Sequence, residues 1–243
     1  MDKNDYVEMQ KTFYKPLASQ WRPELPHRNH VVGWFEEHSA WPGYEHLFAN
    51  VDTKDMVALD FGCGPGRGIV KYWNRFKRVD GVDLMDENLR SARWWIQYNN
   101  LDDGSVNLYK CNGTDLSAIP SEQYDFIYSM ICMQHICVYD IRLNYLKEFY
   151  RVLKPGGYVA IQMGYGRRPQ FKNKGYYENF YEAKKTNGDD LGEWDVTIED
   201  PTQVEKDLTS VGFGNFTYVI DRPFLGDADT FPQWIYWRAR KPL

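Results

Sequence analysis

Between residues 56 and 163 the chain alternates short apolar runs with amphipathic stretches. "MVALDF" (56–61) is apolar and stopped by glycine, which predicts a buried strand. "GRGIVKYWNRF" then reads as a helix and "RVDGVDL" (78–84) as a second strand. "DENLRSARWWIQYNN" (86–100) opens on acidic residues and continues amphipathically, predicting a helix with Asp86 as N-cap. "SVNLYKC" (105–111) and "YDFIYSMIC" (124–132) follow as strands three and four. In 139–153, Ile141, Tyr145, Phe149 and Val152 recur every three or four residues, a helix whose expected stop is Gly156–Gly157. "YVAIQM" (158–163) is a fifth strand.

Strands alternating with helices imply a parallel sheet covered on both faces, a doubly wound α/β fold. After Met163 the alternation breaks, and 164–195 is a polar, aromatic segment too long for a simple connection, hence an expected lid. A helix at 201–211 follows, with Pro201 early and Gly212 as its stop. "FTYVI" (216–220) and "QWIYWRAR" (233–240) look like a closing pair of strands. Residues 1–50 are aromatic and irregular, with short helices expected near 5–15, 30–38 and 43–49. They are too few for a core of their own and read as a cap on a main domain spanning 51–243.

The stretch "LDFGCGPGRG" (59–68) places Gly62, Gly64, Gly66 and Gly68 directly after the first strand. Ligands of open parallel sheets bind beyond the carboxyl ends of the strands, and a glycine loop there lets a cofactor lie against bare backbone. The dinucleotide fingerprint G-x-G-x-x-G fails in every register, because its third glycine falls on Arg67, Ile69 or Lys71. What stands instead is Asp60-x-Gly62-x-Gly64-x-Gly66, and a carboxylate beside the loop suits a cationic cofactor better than a pyrophosphate. Asp83 closes the second strand, where a carboxylate can accept both ribose hydroxyls of an adenosine.

"ALDFGCGPGR", "VDGVDL", "YDFIYSMICMQHI" and "FYRVLKPGGYVAIQM" resemble, in order and spacing, the class I S-adenosylmethionine-dependent methyltransferases, in particular the small-molecule branch called type 11. The clear resemblance covers 56–163; 1–50 and 164–195 stand outside it. It implies a Rossmann-like sheet of seven strands, mostly parallel, with the last antiparallel, and S-adenosyl-L-methionine as cofactor. Carried over by position, Asp60, Gly62, Cys63, Gly64 and Gly66 would hold the methionine end. Asp83 would bind the ribose, with Leu84 and Met85 packing on the adenine. Asn112, followed by Gly113 and Thr114, stands where the family usually has an aspartate for the adenine amino group. Ser129 and Met130 would flank the methionine moiety.

His135 ends the fourth strand's motif, near the position of the transferred methyl in the family. It reads either as a structural histidine or as the base that takes a proton from an attacking hydroxyl. His27, His30, His38 and His46 cluster in the cap without a partner at ligand spacing, so no metal site is expected. In the expected lid, Arg167 and Arg168 with Tyr165, Tyr176 and Tyr177 read as substrate-binding groups, arginine gripping phosphate or carboxylate. On that basis the first acceptor class to try is an anionic metabolite, a sugar or nucleotide sugar, methylated on oxygen or nitrogen.

The formal net charge of −5 disfavours a nucleic-acid partner, though basic and aromatic residues interleave in the lid. Base-amino methyltransferases usually carry an Asn/Asp-Pro-Pro-aromatic motif where this chain reads "SMICMQ". The remaining alternatives are a nicotinamide-dependent oxidoreductase and a non-catalytic cofactor-binding module. Four cysteines without CxxC spacing, a polar start and no long apolar run predict a cytoplasmic protein off the membrane. The sequence does not indicate an oligomeric state.

Overall fold

The computed structural model describes residues 2–19, 40–101, 104–181 and 195–243, apart from the side chain of Leu17. The expected helix over 30–38, and with it His27, His30 and His38, lies outside the described residues.

The strands are β1 (Val57–Phe61), β2 (Arg78–Asp83), β3 (Leu108–Lys110), β4 (Tyr124–Ser129), β5 (Leu153–Tyr165), β6 (Lys174–Gly175), β7 (Val196–Ile198), β8 (Gly214–Asp221) and β9 (Gln233–Arg240). The helices are α1 (Lys3–Ala18), α2 (Trp41–Tyr44), α3 (Arg67–Tyr72), α4 (Asp86–Tyr98), α5 (Tyr139–Val152) and α6 (Pro201–Val211). The main path of the sheet runs β3-β2-β1-β4-β5-β9-β8, with β9 antiparallel to both neighbours. Two short strands add to these seven: β7 pairs in parallel with the far end of β5, and β6 pairs with β7. They are built from and just after the segment expected to be lid.

The sheet is covered on both faces. Tyr145 and Phe149 of α5 pack on Phe61. On the other face Phe48 lies against Tyr72, Phe76, Phe126 and Tyr128. The high aromatic content is therefore largely core. Residues 40–48 are part of that core, with Tyr44, Leu47 and Phe48 buried.

Three boundaries differ from expectation, each for a local reason. Asp86 is the first helical residue of α4, and the N-cap is Met85. Helix α5 does not stop at Gly156–Gly157: Leu153 is already extended, and both glycines lie within β5. Its last carbonyls are met from far away in the chain, by Lys241 Nζ at Tyr150 O and Leu153 O. Strand β4 ends at Ser129 because Ile131 takes φ +51°, and a 3₁₀ turn (Met133–His135) follows.

Candidate active site

The β1 strand delivers Asp60 and Phe61 to the carboxyl edge of the sheet, where the glycine loop turns back into α3. Gly62, Gly64 and Gly66 all have positive φ. A Cβ on Gly64 would meet nothing within 4 Å, and Gly64 lines a cavity of about 440 Å³ at this edge. Its N–H donates to Asp83 Oδ2 at 2.9 Å, tying the loop to the end of β2. Gly66 has another task. It caps α3 in the left-handed region, and a Cβ there would lie 3.0 Å from Cα of Ala92 in α4.

Asp83 is 8 % exposed, and its Oδ1 accepts from Met85 N at 2.8 Å and Asn88 Nδ2 at 3.0 Å. Burial nevertheless raises its carboxyl above the usual range. Asp60 is 2 % exposed, and burial reinforced by the Asp83 charge holds its carboxyl well above that range. Two carboxylates thus face one cavity, and among the described residues neither is paired with a basic side chain. A ligand that brings a positive charge relieves this, and the missing Cβ of Gly64 leaves a backbone cradle beside them. The residues therefore fit a cofactor with an ammonium, a sulfonium and a ribose.

The opposite wall comes from α1, β4 and the 3₁₀ turn. Tyr6, Gln10 and Tyr14 recur at four-residue spacing, one face of α1, and line the cavity with Ala18 and His135. Tyr6 Oη accepts from Cys137 N at 2.8 Å, tying α1 to the segment after His135. Ile131 is a β-branched residue in left-handed backbone, a strained state that persists only where the surroundings hold it. Its N–H donates to Gln162 Oε1 at 2.8 Å, and it too lines the cavity. His135 Nδ1 stands 2.6 Å from Asp195 Oδ1.

Of the residues singled out from the sequence, the structure brings Asp60, Gly62, Cys63, Gly64, Asp83, Leu84, Met85, Gly113, Met130 and His135 together around this cavity. It leaves others out. Asn112 Oδ1 accepts from Thr114 N at 2.8 Å and Asp115 N at 2.9 Å in an Asx turn, so the acceptor meant for the adenine amino group is engaged locally. Thr114 shares that turn through its hydroxyl. Ser129 is fully buried and donates to Phe61 O at 2.8 Å, holding β4 to β1. Neither these three nor Gly66 lines the cavity.

The expected substrate-binding group is also placed elsewhere. Arg167 donates to both carboxylate oxygens of Glu199, at 2.8 and 3.2 Å. Arg168 donates to Gly226 O at 2.9 Å. Tyr176 is buried beside Arg142, and Tyr177 is exposed with its hydroxyl on Gln203 O. Tyr165 at the end of β5 does not line the cavity either. Buried Arg142 of α5, which donates to Ile136 O and Tyr176 O, anchors this segment. No pattern in the sequence marked Arg142, Tyr14 or Asp195. Arg67 lines the cavity and adjoins the glycine motif; desolvation lowers its pKa to about 10. Among the described residues no cluster of side chains could hold a metal, and His46 instead pairs with Asp221 at 3.2 Å. None of the described helices is long and apolar enough to cross a membrane.

Residues 59–161, from the middle of β1 into β5, match the family described as Methyltransferase domain. The S-adenosyl-L-methionine-dependent Diels-Alderase iccD of Talaromyces variabilis is 34 % identical over 103 residues, 42 % of this chain and 34 % of that protein. The S-adenosyl-L-methionine-dependent Diels-Alderase iliD of a Neonectria species is 26 % identical over 162 residues, 62 % of this chain and 60 % of that protein. The chain thus spans between about a third and three-fifths of the length of these curated relatives. Among solved structures, a SAM-dependent methyltransferase from Methanosarcina mazei superposes with TM-score 0.60 at 21 % identity, covering 79 % of this chain and 94 % of that one. The sequence match lies on the strands that build the cavity, so residues 59–161 form a methyltransferase domain of the S-adenosylmethionine-dependent type, and the superposition shows the same fold around them.

Proposed function

We propose that the protein transfers a methyl group from S-adenosylmethionine to a hydroxyl oxygen of a small molecule. One observation carries the reading: two buried carboxylates, Asp60 and Asp83, face a single cavity whose other wall bears His135. Asp83 would hold the ribose and Asp60 the positive charge of the methionine end. The bound cofactor supplies an electrophilic methyl group. The chain's own part is to align the acceptor, exclude water and take up its proton.

An aromatic or apolar body fits the wall formed by Tyr14, Ala18 and Ile136. The preference for an anionic sugar rested on Arg167 and Arg168. Both are engaged within the protein, so that preference is not carried forward.

Screening small hydroxylated compounds with S-adenosylmethionine tests the proposal. The expected result is S-adenosylhomocysteine together with a product about 14 Da heavier. Failure to bind S-adenosylhomocysteine at all would overturn it. A second reading has one observation in its favour, since both relatives above are called Diels-Alderases. On that reading a substrate isomerises at unchanged mass and no S-adenosylhomocysteine forms, which the same assay distinguishes.

A further inference from the structure

His135 and Asp195, the last residue of the expected lid, are sixty positions apart, yet Nδ1 of the one lies 2.6 Å from Oδ1 of the other. The side chain of Asp195 is 8 % exposed and that of His135 24 %. Asp195 does not line the cavity, whereas His135 does. The carboxylate therefore approaches the ring from behind. An ionised carboxylate only accepts, so in the neutral imidazole this contact requires the proton on Nδ1. That leaves the lone pair on Nε2, which has no hydrogen-bond partner among the described residues.

Both members are held in place. The Asp195 carbonyl accepts from Lys174 N at 2.8 Å, where β6 meets the start of β7. The Tyr6 hydroxyl and the Gln10 amide each reach the His135 carbonyl at 3.4 Å. The Tyr14 ring lies 6.2 Å from the imidazole, centroid to centroid.

We propose that Asp195 is a positioning residue that keeps His135 in the Nδ1–H tautomer, making Nε2 the proton acceptor for the methyl acceptor's hydroxyl. This rests on the methyl-transfer reading above. As the hydroxyl oxygen bonds to the methyl carbon, the carbon–sulfur bond breaks with its electron pair going to sulfur, and the hydroxyl proton passes to Nε2. The imidazolium afterwards releases that proton to solvent. Asp195 accepts from Nδ1–H and orients the ring.

The test is nitrogen NMR of the full chain labelled with ¹⁵N-histidine and saturated with S-adenosylhomocysteine, at about pH 9, above the ordinary imidazole range. His135→Asn assigns the signals. The wild type is expected to show a protonated Nδ1 and an unprotonated Nε2 at His135. Asp195→Asn, whose amide can donate, is expected to shift the ring toward the Nε2–H tautomer, with S-adenosylhomocysteine affinity within about threefold. An Nε2–H tautomer in the wild type, or no change in Asp195→Asn, would overturn the proposal. The wild-type spectrum decides even if the variant does not fold. With an acceptor in hand, Asp195→Asn should lower kcat by about 10²-fold at unchanged KM for S-adenosylmethionine; an unchanged kcat would also overturn it. Calorimetry on the same wild-type sample separates the two levels. Lost cofactor binding would overturn methyl transfer itself, whatever the tautomer.

Discussion

Two charged pairs stand out along this chain, and they end in opposite situations. Asp60 and Asp83 sit at the carboxyl ends of neighbouring parallel strands, buried at one cavity, and neither forms an ion pair with a basic side chain among the described residues. Arg167 and Arg168 sit beyond β5 and are answered inside the molecule, by Glu199 and by Gly226 O. Charge alone says little about which of these meets a ligand. Position does: a strand end in a packed parallel sheet has one place to go, and a carboxylate there stays buried only because something else uses it. A cation in an irregular segment finds the nearest acceptor.

The comparison is tested hardest at Asp83. Asp83→Ala removes the proposed ribose acceptor and unties Gly64, Met85 and Asn88 together. Hydrogen bonds to charged groups contribute about 1.5–3 kcal/mol each, so S-adenosylhomocysteine affinity should fall by more than about 10²-fold. Calorimetry on the folded variant reads this directly, and an affinity within threefold of the wild type would put the cofactor elsewhere.

Gly66 separates folding from binding within the same loop. Gly66→Ala places a Cβ at φ +88° and 3.0 Å from the α4 backbone. A non-glycine residue in strained backbone costs about 1–3 kcal/mol. Denaturant unfolding should show that loss, while cofactor affinity in the folded variant stays within a few-fold. A stable variant that no longer binds would mean that Gly66 touches the ligand.

A smaller, graded effect follows from the raised carboxyls. In the free protein burial favours the protonated form of Asp60 and Asp83, whereas a cationic ligand favours the ionised form. Binding should therefore release protons, and affinity should rise as pH rises above the ordinary carboxylate range. For stability the sign is opposite. A carboxyl raised on folding stabilises the free protein fully below its unfolded value, and that contribution is lost as pH rises through the folded one. Asp60→Asn should remove part of this loss. Calorimetry in buffers of different ionisation enthalpy measures the protons. No release would mean that the two carboxylates are already ionised in the free protein.

The same contrast explains what could be read in advance. The strand ends were legible because apolar runs stopped by glycine or aspartate mark both a buried strand and its exit. The seven strands of the main path follow from that alternation, whereas most of the ten residues around the cavity came from the family resemblance, position by position. Asn112 misled because its side chain satisfies the backbone two and three residues on, a local competition that motif position does not reveal. The end of α5 falls within one residue of its expected place, but its stop was not legible: Lys241, far along the chain, meets its last carbonyls in place of the glycine pair. Asp195 carried no signal at all. Its meaning exists only where β7 brings it against a histidine sixty positions earlier.

The smallest effect is expected where the sequence pointed to substrate. Arg167→Gln with Arg168→Gln breaks two ion pairs, to Glu199 and to the exposed Asp227, and the hydrogen bonds to Asn173 O and Gly226 O. Exposed pairs contribute about 0–1 kcal/mol, so the melting temperature should move little. Neither side chain reaches the cavity lining, so S-adenosylhomocysteine affinity and turnover of any acceptor found should stay within about threefold. A large rise in KM for the acceptor alone would break the comparison. It would mean that the segment carrying these arginines exchanges Glu199 and Gly226 for an anionic substrate, and that a charge answered inside the free protein can still be the one that recognises a ligand.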